Sequence, residues 1–533
     1  MTTALLPFEF EKPAETAAQE SLDPQDWDAF RELAHRMLDR MIDHQRNAAD
    51  LPTWQPVPES VEARFKEGPP LAGKGAESAY EDFLELVLPY PTGNTSPRFW
   101  GWVSGTGSPS GMVAEMLTGG LNALSGTFND ASARVESQVI DWMRLALGYP
   151  KGMSGVFTSG GSVANLIGLA VARDSISDQD IPRWGLQGGE IDGQGIERDR
   201  GRLVFYASAE VHSSVLKAAQ ILGLGREAMR TVPVDENFRI RLPELRAAIE
   251  RDRALGYRPF AIVGNAGTVN TGATDDLNAL ADIAARERLW LHVDGAFGAL
   301  VRLSPGNAHQ VAGLERADSV AFDFHKWMYV PYEAGCVLIR DVESHRRPFT
   351  VSASYLEALP RGIAAQPDST NLSSLQLSRG FKALKVWLLL KEHGFERYGR
   401  LIERNIEQAR YLAARVERQP ELELLAPVPL NIVCFRYVDG ALDPEATNEL
   451  NRELLMRLQE EGLAVPSSTV LDGRFAIRVA ITNHRSRLTD FDFLVDQVIR
   501  LGRQITREFA PADTTEQDCG AGRGLRGRHS KIP

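Results

Sequence analysis

The stretch LWLHVDGAF, residues 289–297, is an apolar run that ends on a carboxylate, Asp294; SVAFDFHKW, residues 319–327, ends in the same way on His325 and Lys326. Short apolar runs bounded by glycine or charge read as strands buried on both faces. Working outward, GVFTS (155–159), LVFYAS (203–208) and FAIVGNA (260–266) repeat the pattern. Between and beside them lie helical runs such as SQVIDWMRLAL (137–147), SVANLIGLAVARD (162–174) and DDLNALADIAARER (275–288). Strands alternating with helices predict an α/β fold with a mainly parallel sheet covered on both faces. Ligands of such sheets bind outside the carboxyl ends of the strands. Asp294, His325 and Lys326 are therefore expected to line one crevice.

With 533 residues, 43% of them hydrophobic, the chain can bury more than one lobe. Residues 1–90 are expected to form an N-terminal helical arm: Trp27, Phe30, Leu33, Met37 and Met41 recur at helical spacing, and a Pro- and Gly-rich stretch follows. Residues 91–393 form the large domain. Residues 394–507 form a smaller α+β domain with strands LNIVCFRYV (430–438) and RFAIRVAIT (474–482), and 508–533 read as a disordered tail. GLQGGEIDGQGIERDR, residues 185–200, reads as an exposed insertion. A net charge of −12 without a basic stripe argues against a nucleic-acid partner. Three scattered cysteines, Cys336, Cys434 and Cys519, suggest neither a disulfide framework nor a thiolate metal cage, and fit a reducing compartment. Neither a signal peptide nor a membrane span is recognised, so the expectation is a cytoplasmic chain without a membrane partner.

TSGGS, residues 158–162, lies between a strand and the first turn of a helix, where free N–H groups and the helix dipole attract an anion. A tight turn with a serine cap is an equally ordinary reading. The nucleotide-hydrolysis pattern G-x-x-x-x-G-K-[ST] is absent there, and GLGREA (223–228) follows a helix instead of a strand, which rules out a dinucleotide fingerprint. No G-x-S-x-G elbow supports a serine hydrolase. Lys326 after an apolar strand is either a surface lysine or one desolvated enough to form a Schiff base with an aldehyde. Asp294 could cap a helix or share a metal with His292, but no third ligand lies at a familiar spacing, so no metal is expected. His212, at a helix start, could stack on a flat ring.

One cofactor uses all of these groups: pyridoxal 5'-phosphate needs a lysine for its aldehyde, a carboxylate for its pyridine nitrogen, a phosphate cradle and a stacking partner. On the motifs SPRFWGW, TSGGSVANL, VHSSVLKAA, GNAGTVNTGATDD, LHVDGAFGA and FDFHKW, in that order, the chain resembles the group II pyridoxal-phosphate-dependent amino-acid decarboxylases, the family of aromatic-amino-acid and glutamate decarboxylases. The resemblance runs from about residue 80 to 390 and more loosely to 500. It implies a type I fold and a homodimer in which the N-terminal arm wraps its partner. It also implies that Lys326 is the Schiff-base lysine, Asp294 the partner of the pyridine nitrogen and His212 the stacking residue. Thr268 would donate at the ring side, Ala296 would lie against the other ring face, and Gly161, Ser162 and His325 would serve the phosphate.

Three departures stand out. Asp323 occupies a position that is Asn in many relatives, Ser96 replaces a His, and the loop Tyr expected to protonate the α-carbon is missing from QPDSTNLSS (366–374), where Thr370 or Asp368 aligns with it. The reaction implied is decarboxylation of an L-amino acid to an amine. A decarboxylating oxidative deaminase giving an aldehyde, or an idle cofactor-binding scaffold, stands as the alternative. For the substrate side chain, Trp100 and Trp102 favour an aromatic or bulky group, whereas Arg478 would suit an acidic one.

Overall fold

The computed structural model describes residues 21–176, 180–186, 190–191, 197–198, 201–351, 354, 357–365 and 370–509. Most of the glycine-rich insertion, Asp368 in the loop, and the tail from residue 510 lie outside them. The chain divides into two compact units, one made of the described part of Met1–Ala48 with Pro58–Pro89, the other of Ala49–Val57 with the chain from Tyr90 onward.

In the first unit the helix Trp27–Arg46 starts where Asp26 accepts hydrogen bonds from the Asp28 and Ala29 amides. Helices Glu59–Arg64 and Ala76–Asp82 follow, and Arg36 and Glu77 form an ion pair. Met37, Met41, Ala76, Ala79, Tyr80 and Phe83 line an apolar groove of about 470 Å³. Trp27 and Phe30 are exposed.

The second unit carries twelve strands that matter for the site, numbered here in chain order: β1 (Phe99–Trp100), β2 (Ser154–Thr158), β3 (Leu203–Ser208), β4 (Met229–Val232), β5 (Arg258–Asn265) and β6 (Trp290–Asp294). They continue as β7 (Ser319–Asp323), β8 (Gly335–Ile339), β9 (Leu422–Leu424), β10 (Ile432–Tyr437), β11 (Val465–Leu471) and β12 (Arg474–Ala480). A seven-stranded sheet has the order β2-β8-β7-β6-β5-β3-β4. Only β8 runs against the rest, so the carboxyl ends of the other six lie along one edge. Every residue of β6, β7 and β8 is buried, as expected of strands covered on both faces.

The smaller sheet has the order β1-β11-β12-β10-β9. Its edge strand comes from far away in sequence: Phe99 and Trp100 pair in parallel with Val465 and Pro466. Helix Lys382–Glu417, interrupted at Gly394 (φ 67°, ψ 160°), leads from the large sheet to the small one. Among the described residues no helix is long and apolar enough to cross a membrane.

Candidate active site

The carboxyl ends of β2, β6 and β7 deliver the chemistry. The turn after β6 is held by hydrogen bonds from the Gly295 amide to the Ala321 carbonyl (3.0 Å) and from the Asp323 amide to the Ala296 carbonyl (2.9 Å). These bonds lock the Asp294 turn against the end of β7. Asp294 is 5% exposed, and its carboxylate accepts from the Ala296 amide (3.1 Å) and from Asn165 Nδ2 (2.8 Å).

Past β7, Lys326 Nζ lies 3.1 Å from Asp323 Oδ2, and His325 Nε2 lies 3.6 Å from the same oxygen. His325 is buried, meets the Ala334 backbone through Nδ1 and packs its ring 4.5 Å from that of Tyr332. Desolvation lowers its pKa against the opposing pull of Asp323.

Gly160 and Gly161 close the third side, at the start of helix Gly161–Ile176. A Cβ on Gly161 would come 3.1 Å from Asp323 Oδ2 and 3.3 Å from Ala296 Cβ; one on Gly160 would come 3.3 Å from His325 Cε1. Bare backbone at the helix start thus faces Ala296, Asp323 and His325, and Ser162 is exposed in the first turn. This open, N–H-rich corner fits a phosphate. Asp323 Oδ1 is buried there without a hydrogen-bond partner, an acceptor that opposes an anion and whose charge Lys326 offsets.

His212 caps helix Ser213–Ile221, its Nδ1 2.8 Å from Ser214 Oγ. The residue is exposed overall, yet desolvation lowers the pKa of its imidazole, against the pull of Asp294. Thr268 is buried, its hydroxyl accepting from the Ala273 amide and lying 3.1 Å from that of Thr271.

The structure does not bring the three substrate candidates together with this corner as side chains. Trp100 is 1% exposed, stacks on Phe491 (5.0 Å) and donates to Ser486 Oγ, inside the core of the small sheet. Trp102 is 60% exposed. Arg478 is buried and aims its guanidinium at the Asn270, Trp102 and Val269 carbonyls and at Ser467 Oγ. Burial without a carboxylate partner pushes it down to about 10.

Two participants escaped the sequence reading: Asp323 as the ion-pair partner of Lys326, and Asn165. Asn165 lies four residues after Gly161, one helical turn along the same face, which is the signal that could have pointed to it. It also touches His292, both of whose ring nitrogens are engaged, with Asn165 Oδ1 (2.9 Å) and Ser319 Oγ (2.7 Å). Among the described residues no group of three or more His, Cys, Asp or Glu side chains is arranged to hold a metal ion.

Burial pushes the His292 imidazole down to about 4 from 6.5, so it is neutral in the fold. A depressed histidine pKa contributes stability that is complete above the unfolded value and is lost as pH falls from 6.5 toward 4, about 3 kcal/mol for this ring. The urea midpoint should therefore drop between pH 7 and pH 5; a midpoint constant over that range contradicts this reading.

The pyridoxal-dependent decarboxylase conserved domain matches residues 58–438. The chain is 30% identical, over 90% of its length and 96% of the relative's, to an aromatic-L-amino-acid decarboxylase of Bacillus atrophaeus. It is 28% identical, over 88% of its length and 94% of the relative's, to a phenylacetaldehyde synthase of Arabidopsis thaliana. In fold it is similar to the crystal structure of Oryza sativa TDC with PLP and tryptamine (TM-score 0.82, 24% identity, 91% of this chain and 100% of that one). It is similar as well to that of mouse CSAD (TM-score 0.82, 26% identity, 90% and 99%).

Proposed function

The chain belongs to the pyridoxal-dependent decarboxylase family and is an amino-acid decarboxylase whose cofactor is pyridoxal 5'-phosphate; from that premise we propose that it converts an aromatic L-amino acid to its amine and carbon dioxide at the corner formed by Lys326, Asp294 and Gly160–Gly161. The observation that carries this reading is the convergence of a lysine, a buried carboxylate and a bare helix start at the carboxyl ends of β7, β6 and β2. When bound, the cofactor supplies an electrophilic aldehyde and a ring that takes up the electron pair released as the bond from Cα to the carboxylate breaks. Lys326 would hold the aldehyde carbon. Asp294 would hold a proton on the ring nitrogen by charge, and the amides around Gly161, with Ser162 and His325, would hold the phosphate. His212 and Ala296 would bracket the ring, and Thr268 would donate at its edge.

An aromatic substrate is supported by the relatives named aromatic-L-amino-acid decarboxylase and tyrosine decarboxylase, and by Arg478, whose donors face backbone carbonyls and so favour no acidic side chain. Trp102, exposed and hydrogen-bonded through its backbone to Ser467 and Arg478, is the indole offered to a flat substrate; Trp100 serves the core. Carbon dioxide release should be faster from tyrosine, tryptophan or phenylalanine than from glutamate or aspartate. Turnover confined to the acidic pair would refute the assignment.

A second reading rests on the absence of tyrosine between Tyr355 and Tyr398: without that acid, dioxygen would take two electrons from the substrate carbon and water would supply the carbonyl oxygen, giving aldehyde, ammonia and hydrogen peroxide in place of the amine. Amine equal to carbon dioxide, with no peroxide, supports decarboxylation; aldehyde and peroxide equal to carbon dioxide supports the second reading.

Asp323 sets a carboxylate beside the phosphate corner, balanced by Lys326. Asp323→Asn removes a like charge and frees the lysine, so it should tighten cofactor binding about 3- to 10-fold, the scale of one screened charge pair. A cofactor titration that shows equal or weaker binding contradicts the placement.

The homodimer is supported by the first unit, in which Met37, Met41 and Phe83 line an apolar groove and Trp27 and Phe30 are exposed. Sedimentation at low concentration should show dimer with no folded monomer; a stable, active monomer would refute this. The buried free thiols Cys336 and Cys434 suit the cytoplasm.

A further inference from the structure

A chain of buried hydrogen bonds runs from the core of the large sheet to the two groups proposed to face the cofactor ring, and every donor in it can be assigned. Trp290 Nε1 can only donate, and it gives its hydrogen to Ser319 Oγ (2.8 Å). The Ser319 hydroxyl hydrogen is then free for His292 Nδ1 (2.7 Å), which places the single ring hydrogen of the neutral imidazole on Nε2. Nε2 donates to Asn165 Oδ1 (2.9 Å).

At the other end the Asp294 carboxylate can only accept when ionised, so the Asn165 amide must present nitrogen to it, at 2.8 Å. The second Nδ2 hydrogen goes to Ser214 Oγ (3.0 Å), whose own hydrogen goes to His212 Nδ1 (2.8 Å). The Ser214 amide points at the same Nδ1 (3.3 Å), leaving the His212 hydrogen on Nε2. No group in the chain donates or accepts in conflict with another. The helix also makes room for it: a Cβ on Gly168 would meet the His292 ring at 2.5 Å.

We propose that Asn165 is a positioning residue for the decarboxylase, its one amide both anchoring the Asp294 carboxylate opposite the cofactor's ring nitrogen and, through Ser214, selecting the His212 tautomer that carries hydrogen on Nε2. The proposal rests on the cofactor reading above. Asn165 is 1% exposed and His292 is fully buried, so neither touches substrate, and both act through the residues they hold. The neutral state of His292, imposed by burial, keeps the direction of the chain constant across the physiological range. Without the amide, Asp294 would keep the Ala296 amide alone and His292 Nε2–H would be buried without an acceptor.

The test is the ring nitrogen itself. Holoenzyme carrying ¹⁵N-pyridoxal phosphate should show a protonated-nitrogen resonance at neutral pH. In Asn165→Ala that resonance should move toward the unprotonated position, with kcat lowered about 10- to 100-fold, the scale for loss of a supporting hydrogen bond, and KM changed much less. A packing role alone would lower stability and leave the resonance in place, and that outcome overturns the proposal. If Asn165→Ala does not accumulate folded, Asn165→Leu serves instead: it fills a similar volume without the amide. It should move the resonance in the same direction, and an unmoved resonance again overturns the proposal. A wild-type chain that binds no labelled cofactor would instead defeat the reading of the site.

Discussion

Lys326→Ala is expected to abolish turnover and covalent capture of the cofactor together. In the wild type, borohydride should fix pyridoxal phosphate irreversibly to one peptide, the one containing Lys326, and the purified chain should be yellow. The basis is geometric: Lys326 follows the end of β7, is partly shielded, and is kept in place by Asp323 at 3.1 Å. Loss of a covalent-catalysis group costs at least about 10³-fold in kcat. The variant should still bind the cofactor through the Gly160–Gly161 corner, with lower affinity, since the amides there, Ser162 and His325 would hold the phosphate. A label on another lysine after reduction would move the whole site.

Asp294→Asn should separate binding from chemistry. The substitution keeps the shape of the side chain and one oxygen for the Ala296 amide, but it removes the charge and turns an N–H pair toward Asn165 Nδ2, donor against donor. The cofactor should still be captured by Lys326, so the borohydride label persists. The ring nitrogen loses its anionic partner, and with it the positive charge that draws electrons from the substrate's α-carbon. Loss of such an electrostatic contact costs about 10²- to 10³-fold in kcat. Activity within a few-fold of wild type would show that another group holds that nitrogen.

The large sheet was legible because β6 and β7 are short, largely apolar runs that each end in a charge, a pattern that neither a half-exposed strand nor an amphipathic helix produces. The period of two along a strand also placed His292 and Asp294 on one face. What joins them was not legible: Asn165 lies 127 residues before His292 and 129 before Asp294 in sequence, and only the packing of helix Gly161–Ile176 on the sheet brings the three together. Trp100 and Trp102 looked equivalent in SPRFWGW. Their difference comes from β1, a two-residue strand whose partner in β11 lies far along the chain, which turns Trp100 into the small core and leaves Trp102 outside. Arg478 could be read as a substrate anchor because a strand arginine carries no mark of its partners; three backbone carbonyls and a serine hydroxyl take its hydrogens. Asp323 drew attention as a like charge for a phosphate, and its pairing with Lys326 across one helical turn gives that charge a counterion.

The most direct measurement is release of labelled carbon dioxide from carboxyl-labelled L-tyrosine, L-tryptophan and L-phenylalanine by the chain freed of cofactor and then reconstituted with one equivalent of pyridoxal phosphate per chain. No release is expected before reconstitution, release from at least one of the three afterwards, and none from the reconstituted Lys326→Ala variant. A reconstituted wild-type chain that holds its cofactor and releases no labelled carbon dioxide from any of them would contradict this expectation.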